Sequence, residues 1–573
     1  MSWILGFVGT SLSRERRERL DAFVTDPLVE IVGKTYFVAA GGLRETCLAG
    51  GLPESRGHWC VVGTGVLVER EQARILSSSD WLGRLLPPRP LLDTLGGGFV
   101  ALRVTAGRVE AFTDVFGLRS LYWLRTSNGS YFSSRPDWLA ALGGGLAIDY
   151  PTFGSHWMTY NQLSPQSLVS GIGRLCPGGR LILTDGDVEE QSHPYGLPEE
   201  QNPGDIRNLL RMQLKPDDSR TVSLGLSGGI DSRTLLALGL RDERFSVHVF
   251  GPKTKADVHV ALTLAEEENI QFSHFSFPPP GHDALLETVR GHAIQTHAVS
   301  PASSAISLRY YPELRSQQKL VVDGGFGEIL RRQFMNRLVR RGADAVRGRD
   351  VGRALEHIRF ERAPVFSDEA RREMEFGTRR DLAARLDGLP DISRHGVENV
   401  VDLLNVHTRL PNFFGYEQAR LDGLVQSYMP FAHPMAVDAA LQIPANRRKA
   451  GRVARRIIAR QAPRLRRYPL VKGGVLYPYG MPAFIGMVWV KVQKRFGSTS
   501  DSAERTYVLQ TLKEFVLDRI HSSHVRNYPA YDWTILDTIA GAYYTNGSHG
   551  AQLDWWLAFD FWREAIESPS RFA

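Results

Sequence analysis

Two textures of apolar and polar residues divide the chain. Up to about residue 190, short apolar runs are broken by glycines, as in "HWCVVGTGVLVER", "GGGFVALRVTAGRVEAFTD" and "GGRLILTDGDVEE". Such runs predict strands joined by hairpin turns. The run Trp3–Val8 predicts a core strand: the charges of Arg14–Arg19 follow it, whereas a signal peptide puts its charges first. "HPYGLPEEQNPGD" (193–205) has the Pro, Gly and Glu content of a linker. Beyond it strands and helices alternate. "TVSLGL", "RFSVHVFG", "QFSHFSF" and "KLVVDGG" predict strands, and "TLLAL" and "DVHVALTLAEEENI" predict helices. Alternation of this kind predicts a parallel sheet with helical crossovers. After about residue 330, Arg, Ala and Leu recur at helical spacing and predict a largely helical remainder. The fold class is α/β: a strand-rich domain over 1–195, then a doubly wound parallel-sheet domain with many helices over 205–573.

A chain of 573 residues exceeds one core and divides into domains. Its 43% hydrophobic and 23% charged residues are ordinary for a globular enzyme. Cys47, Cys60 and Cys176 form no CxxC pair, which argues against a disulfide framework or a cysteine metal site and for a reducing, cytoplasmic setting. No run approaches the roughly 20 apolar residues of a membrane span. The net charge of +7 suits an anionic partner. Its clusters at Arg331-Arg332, Arg340-Arg341, Arg447-Arg448-Lys449 and Arg464–Arg467 read mainly as solvated faces with some phosphate contacts. A nucleic-acid surface is the alternative reading, but no RNA-binding motif with interleaved aromatics accompanies them.

The chemistry begins at "SLGLSGGIDSRTLLAL" (223–238), an apolar strand, a glycine turn and a helix start. N–H groups at a helix start bind anions, and glycines let the backbone approach them closely. Leu226, Ser227, Gly228, Gly229 and Ser232 form the expected cradle, with Asp231 or Ser232 placed to cap the helix. In a parallel sheet ligands collect beyond the carboxyl ends of the strands. The loop "VVDGGFGE" (321–328), with Gly324 and Gly325, can therefore face the same crevice. Asp231, Asp323 and Glu328 become candidates to share one Mg²⁺ with a nucleotide's phosphates. The competing reading is a helix cap at Asp231 and turn hydrogen bonds at Asp323 and Glu328.

SGGIDS resembles the pyrophosphate loop of ATP pyrophosphatases, and no G-K-[ST] follows it as in a Walker loop. "VVDGGFGEILRRQ", "QSYMPFAHPMAVDAALQIPANRR" (426–448) and "RVARRIIARQAPRLRRYPLVKGG" (452–474) are similar to segments of the asparagine synthetases. "TDVFGLRSLYW" (113–123) and "YFSSRPDWLAAL" (131–142) resemble pieces of that family's glutamine-amidotransferase domain. The resemblance implies a degenerate Ntn-hydrolase-like glutaminase domain in front of a synthetase domain. It is degenerate because the family's nucleophilic cysteine is absent: the chain begins Met1-Ser2-Trp3. An asparagine synthetase without that cysteine takes its amine elsewhere, as β-lactam synthetases and lasso-peptide cyclases do. The β-lactam branch carries a tyrosine where Gly325 stands, and "DSR" with "DGG" looks more like the lasso cyclases.

That resemblance implies ATP and Mg²⁺ as cofactors and adenylation of a carboxylate. Lys472, in "VKGG", would reach the α-phosphate and leaving pyrophosphate, and Glu328 would hold metal. Glu417, in "FFGYEQARLDG", is the candidate general base, with Tyr416 as a weaker companion. Lys472 reads otherwise as an exposed loop lysine and Glu417 as a surface helix glutamate. His292 and His297, five apart, share no helix face and read as structural. The implied partners are a precursor peptide, a leader-recognition protein and a leader peptidase. Rival expectations are a β-lactam synthetase, an ammonia-dependent asparagine synthetase, an RNA-modifying enzyme and a non-catalytic peptide-binding scaffold.

Overall fold

The computed structural model describes residues 1–573 apart from 54–56, 70, 87–89, 200–203, 241, 482–485, 487–502 and 569–573. The first part of the chain, residues 3–191, holds two six-stranded antiparallel sheets. One runs in the order Ile172–Arg174, Tyr122–Thr126, Gly129–Ser133, Trp3–Gly9, Tyr36–Gly41, Val29–Val32. The other runs Val188–Gln191, Arg180–Thr184, Arg108–Thr113, Phe99–Thr105, His58–Gly63, Cys47–Gly51. Their inner faces meet through Ile4, Val8, Val38, Cys60, Leu102 and Leu181. Trp3–Gly9 is buried on both faces, which is why its sequence is a continuous apolar run without alternation. On its other face Leu5 and Phe7 share a core with Trp157, Phe559 and Trp562. Phe559 and Trp562 lie on the last described helix, Gly550–Glu567, so the end of the chain returns to pack on its beginning.

The second half is built on a five-stranded sheet whose pairings are all parallel. Its order is Phe272–Phe275, Phe245–Phe250, Val222–Gly225, Leu320–Val322, Ser427–Tyr428. Four of these strands are those expected from the sequence. The fifth, Ser427–Tyr428, is only two residues long and carries too little pattern to be read. Strand order reverses at Val222–Gly225, with Phe245–Phe250 on one side and Leu320–Val322 on the other. Crossovers there leave toward opposite faces, which opens a crevice beyond the strand ends. The loops after Val222–Gly225 and Leu320–Val322 both run into it.

The basic clusters include buried members as well as solvated ones. Arg448 is fully buried and pairs with the equally buried Asp402 at 2.7 Å, and Arg332 stands 3.5 Å from the same carboxylate. An aspartate at the centre of the helical layer draws these arginines inward. Among the described residues, no helix is long and apolar enough to cross a membrane.

Candidate functional site

The first loop is held by its own serines. Ser227 N–H donates to Ser232 Oγ at 3.2 Å, Gly229 N–H to Ser227 Oγ at 3.2 Å, and the two hydroxyls lie 3.0 Å apart. The buried Leu226 ties the loop to the sheet through His248 O at 2.9 Å. Gly228 N–H donates to Asp257 Oδ1 at 3.1 Å, so an acidic side chain occupies one donor of the expected anion cradle. The helix after the loop spans Ile230–Gly239 and its N-cap is Gly229, with no side-chain cap. This corrects the expected cap at Asp231 or Ser232. Both lie inside the first turn, two and three residues past the cap; Ser232 bonds back to the loop, and the Asp231 carboxylate is left for the crevice.

Gly228 also admits the hairpin Leu470–Lys472/Val475–Tyr477: a β-carbon there would overlap Val471, whose N–H bonds Gly228 O at 3.0 Å. Gly473 and Gly474 turn that hairpin at φ 56° and 79°, a region costly for side chains with a β-carbon. Lys472 is thereby presented at the end of a strand strapped to the first loop, not on a free loop.

In the second loop, Gly327 lets Asp231 approach; a β-carbon at Gly327 would lie 2.5 Å from Asp231 Cγ. Phe326 precedes it in the left-handed region at φ 63°, with its ring fully buried beside Phe334 at 5.0 Å. Gly324 faces the first loop, where its β-carbon would lie 3.3 Å from Ser232 N. At Gly325 a β-carbon would lie 2.6 Å from Met429 Sδ, so the turn has no room for a tyrosine.

The loops and the hairpin enclose a cavity of about 580 Å³ lined by Gly229, Asp231, Glu328, Arg331, Arg409 and Lys472, among others. Asp231 Oδ2 accepts from Arg331 at 2.5 Å, and Glu328 stands 3.6 Å from Arg409. Burial pushes the Asp231 carboxyl up to about 6; Arg331 opposes that rise, and the like charge of Glu328 adds to it. Burial, then the neighbouring Arg331, holds the Lys472 ammonium below its ordinary value. Two carboxylates converging on one pocket, one destabilised by burial and by the other, suit a divalent cation of the Mg²⁺ class. The surrounding arginines and Lys472 suit polyphosphate.

Asp323 departs from the expectation that it shares that metal. Its carboxylate turns back onto its own loop and accepts from Gly325 N–H at 2.6 Å. Among the described residues, no group of three or more His, Cys, Asp or Glu side chains is arranged to hold a metal. Burial raises the Asp323 carboxyl; the Gly325 bond opposes this, while Glu417 and Glu328 on its two sides add to it.

Glu417 lines a second cavity of about 530 Å³, with Ser300, Ser303, Phe413, Arg420 and Trp555. It accepts from Ser300 Oγ at 2.9 Å and pairs with Arg420. A π-helical turn, Leu410–Phe414, separates Arg409 in the first cavity from Phe413 and Glu417 in the second. Pro411 within it has no N–H for a regular helix, and the widened turn re-aims the chain. His292, placed structurally by its spacing, stands behind this wall, against Ser300 and Arg420. Its Nε2 lies 3.0 Å from Ser300 Oγ, and Arg420 faces Nδ1 at 3.4 Å. Burial holds His292 neutral, so Nε2 carries the proton and donates to Ser300. Tyr416 turns away from Glu417, toward His297 (4.4 Å between ring centroids) and Tyr122.

At the chain start, Ser2 is fully buried. Its hydroxyl donates to Asp422 O at 2.7 Å, accepts from Leu43 N–H at 3.2 Å and lies 2.7 Å from Thr46 Oγ1. Arg119 pairs with Asp422 and donates to Ser2 O, both side chains being buried. The void between Ser2's neighbours and Tyr416 is about 20 Å³, room for a single water.

Sequence reasoning singled out both loops, Lys472 and Glu417, which the structure places at two cavities. It missed the pairing of Arg331 and Arg409 with the acids, the contact of Asp257 with Gly228, and the Ser300–His292 chain. Arg331 carried a signal, three residues after Glu328 in "GEILRRQ"; Arg409 and Asp257 carried none.

No family model matches the chain, and no curated protein matches it. The solved structures to which it is similar include a glutamine phosphoribosylpyrophosphate amidotransferase from B. subtilis complexed with ADP and GMP. The identity is 12%, the TM-score 0.19, and the match covers 56% of this chain and 75% of that one. Another is a structure described as the allosteric regulatory enzyme of purine biosynthesis, at 13% identity and a TM-score of 0.21, covering 66% of this chain and 85% of that one.

Proposed function

We propose that the chain is an AMP-forming, ATP-dependent amide ligase of the asparagine synthetase-like class, acting as a lasso-peptide cyclase. One observation carries the ligase reading: a glycine–serine loop, two carboxylates, arginines and Lys472 converge on one cavity at the reversal point of a parallel sheet. In this reading a substrate carboxylate oxygen attacks the α-phosphorus of ATP. The bond to the β-phosphate breaks, and pyrophosphate leaves with its electron pair. Ser227, Ser232 and the loop amides would hold the phosphates once Asp257 gives way. Lys472 would stabilise charge developing on the departing pyrophosphate, a contact worth about 3 kcal/mol when preorganised. Mg²⁺ would be held by Asp231 and Glu328 and would supply charge neutralisation. An amine then attacks the acyl carbon, AMP leaves, and the amine proton passes to Glu417.

The cyclase reading is supported by the source of that amine. Ser2 is buried and hydrogen-bonded, and the void beside Met1 and Tyr416 has room for only a single water. The amine therefore enters from the Glu417 side, as part of a substrate. Gly325, packed on Met429, does not supply a β-lactam-type tyrosine. The substrate would be a ribosomally made precursor peptide whose N-terminal amine closes an isopeptide ring on an Asp or Glu side chain. A leader-recognition protein and a leader peptidase would work beside it in the cytoplasm, in antibiotic-type peptide biosynthesis. The enzyme, incubated with ATP, Mg²⁺, the precursor and its peptidase, should release AMP and pyrophosphate and yield a core peptide one water lighter. ADP and phosphate would exclude the ligase; free asparagine from aspartate and ammonia, with the peptide left linear, would exclude the cyclase.

A further inference from the structure

Both carboxylates of the first cavity are already matched by cations of the protein itself, Asp231 by Arg331 at 2.5 Å and Glu328 by Arg409 at 3.6 Å. None of the four is sealed in: their side chains are 18 to 24% exposed, all toward the same cavity. A bound Mg²⁺–polyphosphate carries both charges these pairs contain. Its cation competes with the guanidinium groups for the carboxylates, and its oxygens compete with the carboxylates for the guanidinium groups. Arginine suits that exchange, because its planar fork binds carboxylate and phosphate with the same geometry.

We infer that Arg331 is a further catalytic residue of this site, which exchanges partners as substrate binds. It leaves Asp231 to the metal and takes up an oxygen of the leaving pyrophosphate, with Arg409 making the parallel exchange from Glu328. This rests on the nucleotide-site reading above and adds the group that holds the product phosphates. The position of Arg331 fits the task. It ends the short 3₁₀ turn Gly327–Arg331 that begins beside Glu328, and its Nη1 is steadied by Gln333 Oε1 at 2.5 Å. One side chain would thus report, by changing partner, that metal and phosphate are both in place.

Exchange has a signature that simple packing lacks: one substitution should move two affinities in opposite directions. Calorimetric titration of the full chain with Mg²⁺ alone, then with pyrophosphate at saturating Mg²⁺, reads both. In R331A, Asp231 loses its competitor, so Mg²⁺ alone should bind about tenfold tighter, while pyrophosphate should bind about tenfold or more weaker for want of a charge-assisted bond. R331K should recover part of the pyrophosphate affinity. If R331A fails to fold, R331Q keeps the bulk and carries the same opposite-signed expectation. Affinities that both fall, or that both stay unchanged, overturn the exchange. D231N separates this from the reading beneath it. Loss of Mg²⁺–pyrophosphate binding in D231N with same-signed effects in R331A defeats the exchange alone. Wild-type pyrophosphate affinity in D231N, or no pyrophosphate binding by the wild type, defeats the nucleotide site itself.

Discussion

Of the places where this molecule sets an aspartate against an arginine, two serve opposite ends. At the seam, Asp422 meets Arg119 with their side chains 4% and 1% exposed, Arg119 also donates to Ser2 O, and Ser2 and Thr46 hydroxyls donate to Asp422 O. At the crevice, Asp231 meets Arg331 with their side chains 21% and 18% exposed, beside a cavity of about 580 Å³. Burial pushes each aspartate's carboxyl up to about 6, and the arginine beside it opposes the rise. Residue type and electrostatics alone therefore do not distinguish a bolt from a site. Access does: a ligand can reach and replace one partner at the crevice, whereas the seam pair is closed off from solvent.

Substitutions should separate the two. D231A and E328A each remove a carboxylate from the crevice and should abolish AMP formation while circular dichroism and melting stay close to wild type. R119A leaves Asp422 buried and unpaired and should cost about 3–5 kcal/mol in urea unfolding, with AMP formation per folded molecule unchanged. If instead R119A is stable and inactive, the seam is part of the active machinery and the contrast fails. K472A should slow adenylation by about 100-fold or more, the kinetic equivalent of about 3 kcal/mol, measured by pyrophosphate release in single turnover. S2A should lower stability by about 1–3 kcal/mol through the hydrogen-bonding groups it leaves unpaired. Neither S2A nor wild type should release glutamate from glutamine; glutaminase activity that S2A removes would make the seam a site.

The smallest effect concerns Asp554, fully buried and accepting from Ser303 N–H and Oγ. Burial pushes its carboxyl up to about 6 despite those bonds and Arg505. An unfolded aspartate titrates near about 3.9, so between about pH 4 and 6 the folded state binds more protons. The stability contributed by Asp554 then falls as pH rises through that window. D554N should flatten this part of the pH profile of unfolding, and an unchanged slope would show that Asp554 titrates normally.

Apolar patterning made most of the architecture legible, because strands buried on both faces need unbroken apolar runs and crossover helices need their own period. Trp3–Gly9 and, in the parallel sheet, Leu320–Val322 show this. The two glycine loops were equally legible, since only glycine allows the approaches seen at Gly228 and Gly327. Local sequence held less about which acids share a pocket. Asp323 and Glu328 lie five residues apart, yet Asp323 bonds its own turn at Gly325 N–H while Glu328 faces the cavity beside Asp231, 97 residues away by number.

The sequence by itself determined the alternating strands and helices, the anion-type loop and the lack of a cysteine after Met1, because these depend on residue type and near-neighbour spacing. Tertiary structure alone decided that Gly229 and not Asp231 caps the helix, that Asp257 sits in the cradle, and that Arg331 and Arg409 face the acids. It also decided that Ser2 is buried against Asp422, 420 residues further on. Such pairings are set by where the chain crosses the sheet and by which charges burial leaves without water. Neither quantity is written in any short stretch of sequence.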